Sequence, residues 1–507
     1  MGKEKQNICS AGLLKLFALY PDYWAPTRLI ISTILLRKIS LFKYIRYNGA
    51  YMANEKNLKI TFCSGAGTVT GANFLIEGNG KKFLVDCGLI QGDKIADDSN
   101  WEPFSYDPAS IDILFITHCH IDHIGRIPKL INDGFKGRII STVPCKEITD
   151  IMLADTAHLL SRDVVHDLAR IYSKENIQKI QDLWETLEYG EKLNIDHGFQ
   201  FSFKDAGHIL GSGMLEIIYN NKKIVFTGDL GNSPSPLLPD TEVINDADYM
   251  VMESCYGDRN HEERSERKKK LEQVIRDNYE RKGTLIIPTF SLERTQELLY
   301  EINSLVENKI VPEMPIFLDS PLSIKLTDVY LKYDKYFNEN AKRIIATGDK
   351  LFTFPGLKET IETEDSKAIL GVPPPKIIIA GSGMSNGGRI LHHEINYLPN
   401  KNDTILLTGY QTIGTLGRLI SNGAKKVHIM GEEVTIRAHV AVISGYSGHK
   451  DSDHLVEFVG NTASTLKKVF VVMGEPKSSM FLAQKIQDNL GVKAYFPSAG
   501  ESTIIEC

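Results

Sequence analysis

Four side chains of the metal-ligating type fall within six residues: His118, His120, Asp122 and His123, in the stretch Ile116-Thr-His-Cys-His-Ile-Asp-His-Ile-Gly125. No other feature of the sequence limits the fold so tightly. The run before it, Ile111-Asp-Ile-Leu-Phe-Ile116, is apolar and β-branched and is bounded by Pro108 and Ser110, so it predicts a buried strand with the cluster at its exit. Imidazole and carboxylate hold Zn²⁺ and similar first-row ions, and alternation at a strand end aims several of them at one point. A solvated polar turn is the plain alternative, but a random loop rarely carries H-x-H-x-D-H. Cys119 lies between two of the candidates; alternation turns it to the opposite face, where it reads as packing.

A metal site of this kind needs ligands from other strand ends, and three are in place. Asp86 follows Phe83-Leu-Val85, His208 sits in the glycine-rich turn Asp205-Ala-Gly-His-Ile-Leu-Gly-Ser212, and Asp229 ends Ile224-Val-Phe-Thr-Gly-Asp229. A lone aspartate after a strand is usually a turn former. Three in order, all at strand exits, are not incidental.

A chain of 507 residues is too long for one simple core, which predicts two domains, one inserted in the other. A hydrophobic content of 42% with 24% charged residues is ordinary for a soluble globular protein. The net charge of −6 does not mark a nucleic-acid binder, yet an acidic protein can hold a basic groove. The seven cysteines are scattered with no C-x-x-C pair, which argues against a disulfide framework or a thiolate zinc site and for a reducing cytoplasm. Residues 1–51 differ from the rest: Lys3, Lys5, Lys15, Arg28, Arg37, Lys38, Lys43 and Arg46 face only Glu4 and Asp22. The apolar run Leu29 to Leu36 is too short to span a bilayer, so no stable membrane insertion is expected. An interfacial helix or targeting segment is one reading. The preferred one is a basic extension, non-native or disordered, ahead of a natural start at Met52.

From Leu58 the pattern is strand, turn, strand. Gly65, Gly67 and Gly71 read as hairpin turns rather than a dinucleotide loop, because no helix follows Gly71. Helical periodicity dominates from Ile148 to Asp182, and short strands return between Phe201 and Thr227. From about Arg264 helices and strands alternate, which predicts an α/β unit on a parallel sheet.

The ordered set Asp86, His118-x-His120-x-Asp122-His123, His208 and Asp229 resembles the metallo-β-lactamase fold. Further motifs narrow the resemblance: Glu253-Ser-Cys-Tyr-Gly257, Pro288-Thr-Phe-Ser-Leu-Glu-Arg-Thr-Gln-Glu297, Asp319-Ser-Pro-Leu322, Ser382-Gly-Met-Ser-Asn-Gly-Gly-Arg389, Gly409-Tyr-Gln-x-x-Gly-Thr-Leu-Gly-Arg418 and Gly445-Tyr-Ser-Gly-His-Lys-Asp451. They resemble the β-CASP RNA-processing nucleases, above all the compact bacterial and archaeal relatives of the cleavage and polyadenylation factor nuclease subunit. The resemblance implies an α/β fold: a metallo-β-lactamase αββα sandwich (52–255, returning at 436–507) with an inserted β-CASP domain (256–435). It implies two zinc ions, with His118, His120 and His208 on one, Asp122 and His123 on the other, and Asp229 bridging. Asp86 would support the ligand loop, since a ligating imidazole needs its other nitrogen fixed. Glu253 would orient His449. Relatives suggest a homodimer.

Two departures stand out. The family's last ligand is the His of a His-Gly-Glu after an apolar strand, and Val469-Phe-Val-Val-Met-Gly-Glu475 has Met473 there. A soft, neutral thioether is a poor zinc ligand, which puts the second ion in doubt. DNA-directed members of the superfamily also lack that histidine. The other departure is Glu293, where the family usually has glycine before Arg294.

The implied chemistry is hydrolysis of a phosphodiester. Zinc brings the pKa of water near about 7; Asp122 would orient that water as well as ligate. His449 would give a proton to the leaving oxygen, with Glu253 setting its tautomer. Ser382, Gly383 and Arg389 could meet substrate phosphates, as could Arg294 and Arg418, though each arginine could equally make a structural salt bridge. His158, His166, Asp453 and His454 read as polar helix positions. Three functions follow: an RNA endonuclease with 5′-to-3′ exonuclease action, a DNA-directed nuclease, or a non-enzymatic RNA-binding subunit.

Overall fold

A computed structural model describes residues 57–91, 98–160, 167–262, 264–409, 411–412 and 414–507. The basic extension 1–51 and His166 lie outside them.

Phenylalanine alternation builds the first two layers. In Leu58–Ser64 every second residue is buried, so Leu58, Ile60 and Phe62 face inward. This strand joins a seven-stranded sheet in the spatial order Ser502–Ile505, Leu58–Ser64, Asn73–Gly78, Lys81–Val85, Ile113–Phe115, Arg138–Thr142, Trp184–Leu187. A second seven-stranded sheet runs Ala494–Tyr495, Lys468–Val472, Tyr249–Glu253, Lys222–Phe226, Gly213–Tyr219, Phe199–Asp205, Leu193–Ile195. Their inner faces share one apolar core, locked by rings from both sheets: Phe115 stacks on Phe201 at 4.4 Å between centroids, and Phe83 meets Phe199 and Phe201 edge-on at 5.0 and 5.1 Å. Helices Ser452–Gly460 and Pro476–Leu490 cover the outer face of the second sheet through Leu455, Phe458, Leu482 and Ile486. Helices Ile127–Asn132, Val143–Leu160 and Lys174–Asp182 pack on the first. This is the expected αββα sandwich.

The inserted unit is a third sheet, Leu357–Glu359, Ile316–Leu318, Lys376–Ala380, Thr284–Pro288, Thr404–Thr408, His439–Ile443, parallel throughout. Its central strands are buried on both faces, as helix-covered parallel strands are. One boundary moves. Residues 439–443, within the segment expected to return, supply this sheet's edge strand: Thr404 to Thr408 pair with His439 to Ile443 in register. A short strand with exposed Val440 and Val442 carries no mark of the sheet it joins. The chain crosses back at Ser444–Tyr446, and the bridge Gly231 to His449 ties the return to the sandwich.

The parallel strands place the site. Lys81–Val85, Ile113–Phe115, Lys222–Phe226, Tyr249–Glu253 and Lys468–Val472 belong to the parallel part of each sheet, and the residues at or just beyond their carboxyl ends are Asp86, Thr117 and His118, Asp229, Glu253 and Met473.

Candidate metal centre

His118 and His120 follow the strand, His120 in extended backbone, and the short helix Ile121–Ile124 then presents Asp122 and His123. The loop Asp205 to Gly213 brings His208 across from the second sheet; its turn is held by the His208 and Ile209 N–H groups donating to Ser212 Oγ at 3.0 and 3.2 Å. Ligand-type atoms of His118, His120, His208 and Asp229 all lie within 4.8 Å of one another, and those of Asp229, Glu253 and His449 form a second such group. Asp229 belongs to both.

The nitrogens face each other. His120 Nδ1 is 3.1 Å from His118 Nε2 and 3.3 Å from His208 Nε2, while Asp229 Oδ2 is 3.4 and 3.6 Å from the latter two. Asp229 Oδ1 lies 3.5 Å from His123 Nε2, and Asp122 Oδ2 lies 3.9 Å from it. The opposite nitrogen of His123 is fixed: Nδ1 meets Asp86 Oδ2 at 2.7 Å. Asp86 is itself held by the Thr117 N–H and hydroxyl, each donating at 2.8 Å. His208 Nδ1 is 3.1 Å from the Gly448 carbonyl.

Electrostatics prepare this set for a cation. Burial, then the neighbouring imidazoles, holds His118, His120 and His208 below the usual imidazole range, so their lone pairs are available. Burial works against a charged His123 too, but Asp229 and Asp86 outweigh it and lift His123 well above that range. Burial would raise Asp229; His123 and His118 overcome it and hold the carboxyl ionised. Burial raises Asp122. The residues fit a metal: three neutral imidazoles converge with a carboxylate, and His123 Nε2 is buried with no hydrogen-bond partner among the described residues.

His449 approaches from the returning segment. Its Nδ1 lies 3.0 and 3.3 Å from the two oxygens of fully buried Glu253, and 3.9 Å from Asp229 Oδ2. Burial opposes charge on His449, but Glu253 and then Asp229 push its pKa up to about 9. Glu253 Oε1 also accepts the Leu230 N–H at 2.5 Å.

The five candidate phosphate contacts separate. Arg389 is committed elsewhere: it donates to Asp319 at 2.8 Å and to the Thr360 and Ile361 carbonyls at 2.9 and 2.7 Å. Arg294 is not. Its Nε and Nη1 are buried without a hydrogen-bond partner among the described residues. A Cβ added at Gly448 would sit 3.2 Å from His208 Cε1 and 4.0 Å from Arg294 Nη2, so the His208 ring and the guanidinium flank the same glycine. Ser382 Oγ accepts the Asn386 N–H at 3.0 Å, and Gly383 packs against the Phe290 ring. Arg418 is half-buried on helix Leu416–Ser421. The structure does not bring His158, Asp453 or His454 to the site; His454 pairs with Asp451 at 2.7 Å, and Asp453 with Lys485. Cys119 is fully buried in the core. Met473 is buried between the sheets beside Phe74 and Val472, at the expected strand end. Sequence reading missed Thr117, whose hydroxyl links Asp86 to His118 Nδ1 at 3.1 Å; its place directly before the histidines was the signal.

Three family profiles match: the Metallo-beta-lactamase superfamily over residues 66–274, the Beta-Casp domain over 295–420, and the Zn-dependent metallo-hydrolase RNA specificity domain over 433–497. The chain is 33% identical to Ribonuclease TTHA0252 of Thermus thermophilus, over 84% of this chain and 95% of that one. It is 31% identical to an RNase J-like protein of Methanocaldococcus jannaschii (83% and 93%), and 26% identical to Transcription termination factor FttA of Methanosarcina mazei (87% and 70%). Among solved structures, a protein of unknown function from Enterococcus faecalis shares the fold at TM-score 0.52 and 12% identity, over 89% of this chain and all of that one. With sandwich, insertion and strand-end ligands all in place, the chain belongs to the metallo-β-lactamase superfamily, in the branch that carries an inserted Beta-Casp domain.

Proposed function

We propose that the chain is a zinc-dependent nuclease that cleaves RNA internally and from the 5′ end, leaving 5′-phosphate and 3′-hydroxyl ends. One observation carries the reading: His449, outside the ligand set and backed by buried Glu253, faces the same carboxylate, Asp229, that the metal-side histidines face. A histidine poised beside a metal cluster without joining it is what proton transfer to a leaving group requires.

His118, His120, His208 and Asp229, with Asp122 and His123 beside them, would hold the metal, which would supply Lewis acidity for attack of water on a phosphodiester. Asp122 orients the attacking water. His449 takes its tautomer from Glu253 through Nδ1, which leaves Nε2 to protonate the departing 3′-oxygen. Asp86 fixes His123. Arg294, whose Nη2 lies beside Gly448 and the His208 ring, is the arginine candidate for the substrate phosphate, and the Ser382-Gly383 turn and Arg418 lie on the same domain as further candidates. Relatives named for ribonuclease activity, and the RNA specificity profile spanning His449, favour RNA. Free thiols at all six described cysteines favour a reducing cytoplasm, and no helix among the described residues is long and apolar enough to cross a membrane. Met473 favours a second reading, a DNA-directed nuclease.

Metal analysis beside cleavage of matched labelled RNA and DNA strands tests this. Bound zinc with RNA cut to 5′-phosphate products is expected. Preference for the DNA strand would overturn the substrate; metal-loaded protein that binds RNA but leaves it intact would overturn the catalysis.

A further inference from the structure

Glu293 has φ 61° and ψ −55°, a backbone conformation that favours glycine. The Arg294 N–H donates to the Leu292 carbonyl at 2.8 Å across it, closing a γ-turn of the rare, strained kind. Such strain persists only where the surroundings over-determine it, and it concentrates at working sites. Glycine would fit this turn without strain, yet the chain keeps a carboxylate here and buries it.

That carboxylate begins a hydrogen-bonded chain. Glu293 Oε2 accepts from the hydroxyl of fully buried Tyr330 at 2.5 Å. The same hydroxyl accepts the Leu210 N–H at 3.3 Å. A phenol can donate once and accept at the same time, so the relay is chemically complete. Leu210 is two residues from His208, in the loop closed by Ser212 Oγ. Leu210, Leu292, Tyr330 and Phe337 belong to one buried apolar cluster, which keeps water from replacing the link. The chain therefore starts beside Arg294 in the inserted domain and ends on a metal-ligand loop of the sandwich.

We propose that Glu293 is a positioning residue that acts through Tyr330 to hold the His208 loop and Arg294 in fixed relation across the domain junction. The metal side and the phosphate side of the cleft then meet one substrate in register. This rests on the nuclease reading above.

Three variants test it: Glu293→Gly, which suits the turn and removes the carboxylate; Glu293→Gln, which keeps an acceptor; and Tyr330→Phe, which cuts the relay in the middle. The readouts are hydrogen exchange of the peptide spanning 206–213, bound metal, and kcat and KM on single-stranded RNA. Glu293→Gly and Tyr330→Phe are expected to speed exchange in that peptide by about tenfold and lower kcat by about tenfold, the usual size of coupling between contacting residues. Metal content and KM should hold, Glu293→Gln should stay near the natural rate, and the double variant should be no worse than Tyr330→Phe alone. Unchanged exchange in Glu293→Gly and Tyr330→Phe would overturn the proposal, as would Glu293→Gly at full kcat. If the natural protein cleaves no RNA, the nuclease reading fails, and the exchange data alone decide the link.

Discussion

Two buried aspartates, each just beyond the end of a parallel strand, have opposite surroundings. Asp319, after Ile316–Leu318, is saturated: Oδ1 accepts from Thr360 Oγ1 at 2.7 Å and Arg389 at 2.8 Å, and Oδ2 meets His393 Nε2 and Ser366 Oγ at 2.7 Å each. Asp229, in the sandwich, has imidazole nitrogens at 3.4 to 3.6 Å on three histidines, beyond good hydrogen-bond length, and His123 Nε2 makes no hydrogen bond among the described residues. Similar residue types thus make two different objects. A network that satisfies itself holds a domain together. One whose lone pairs converge without satisfying each other needs a ligand.

The sharpest way to break this contrast is to remove a histidine from the open cluster. His120→Ala is expected to lose bound metal and reduce cleavage to background with the fold intact. Full metal content and near-normal turnover in this variant would sink the ligand assignment. His449→Ala should keep its metal and lose about 10²- to 10⁴-fold in turnover, the usual worth of general acid–base catalysis; lost metal would make His449 a ligand. Because Glu253 raises the His449 pKa to about 9, His449 stays protonated up to that pH, and the stability from this pair is full below the unfolded value near 6.5 and lost as pH rises through about 9. NMR titration of metal-stripped protein checks the value, and Glu253→Gln should lower it.

The closed network predicts the reverse kind of damage. Asp319→Asn leaves Arg389 facing a neutral amide and should cost about 3 kcal/mol of stability, the low end for breaking a buried pair, with metal content unchanged. Burial would raise the Asp319 carboxyl, but His393, Ser366, Thr360 and Arg389 together hold it well below the carboxylate range. Its contribution is therefore complete above the unfolded value near 4 and fades as pH falls toward the folded one. Urea unfolding should show the gap between natural protein and variant narrowing from pH 7 to pH 3. A gap that widens in acid would refute the assignment.

The two arginines extend the contrast at smaller size. Arg294→Ala should lower kcat/KM by about 10- to 100-fold, as for loss of a charged hydrogen bond, at unchanged or raised stability. Arg389→Ala should destabilise the fold and leave KM alone. Equal KM effects in both would show that Arg294 has no special role.

This is also where the sequence stopped being informative. The placement of His118, His120, Asp122, His123, Asp86, His208 and Asp229 around one point was legible because strand-end position and residue chemistry are both local. That Arg389 is tied down by hydrogen bonds and Arg294 is not depends on where Asp319 falls across the sheet, which no local pattern encodes. The same holds for the edge strand His439–Ile443, and for Tyr330, whose apolar helix gives no sign that its hydroxyl reaches the His208 loop. Glu293 drew notice as a departure, but its γ-turn and its partner are tertiary facts.

Met473 tests whether the open cluster is open for one metal or for two. Its Sδ packs so closely on Gly65 that a Cβ there would lie 2.8 Å away, and its N–H donates to the Gly65 carbonyl at 2.7 Å. The residue nevertheless lines the same cavity as Asp86, His123 and Glu253. Histidine tolerates the backbone found here, φ 48°, better than most side chains. Met473→His would therefore place an imidazole at the wall of the second-metal pocket at little backbone cost, while loosening the contact with Gly65. On the proposed assignment the first metal would have three histidines and Asp229, whereas the second would have Asp122, His123 and the shared carboxylate. Sub-stoichiometric second-metal binding is thus expected in the natural protein, and Met473→His should raise occupancy toward about two ions and increase the rate, as paired metals act together on a phosphodiester. Metal counting on both proteins at matched free zinc decides the matter. Two ions in the natural protein, unchanged by the substitution, would mean that the thioether leaves the second site whole.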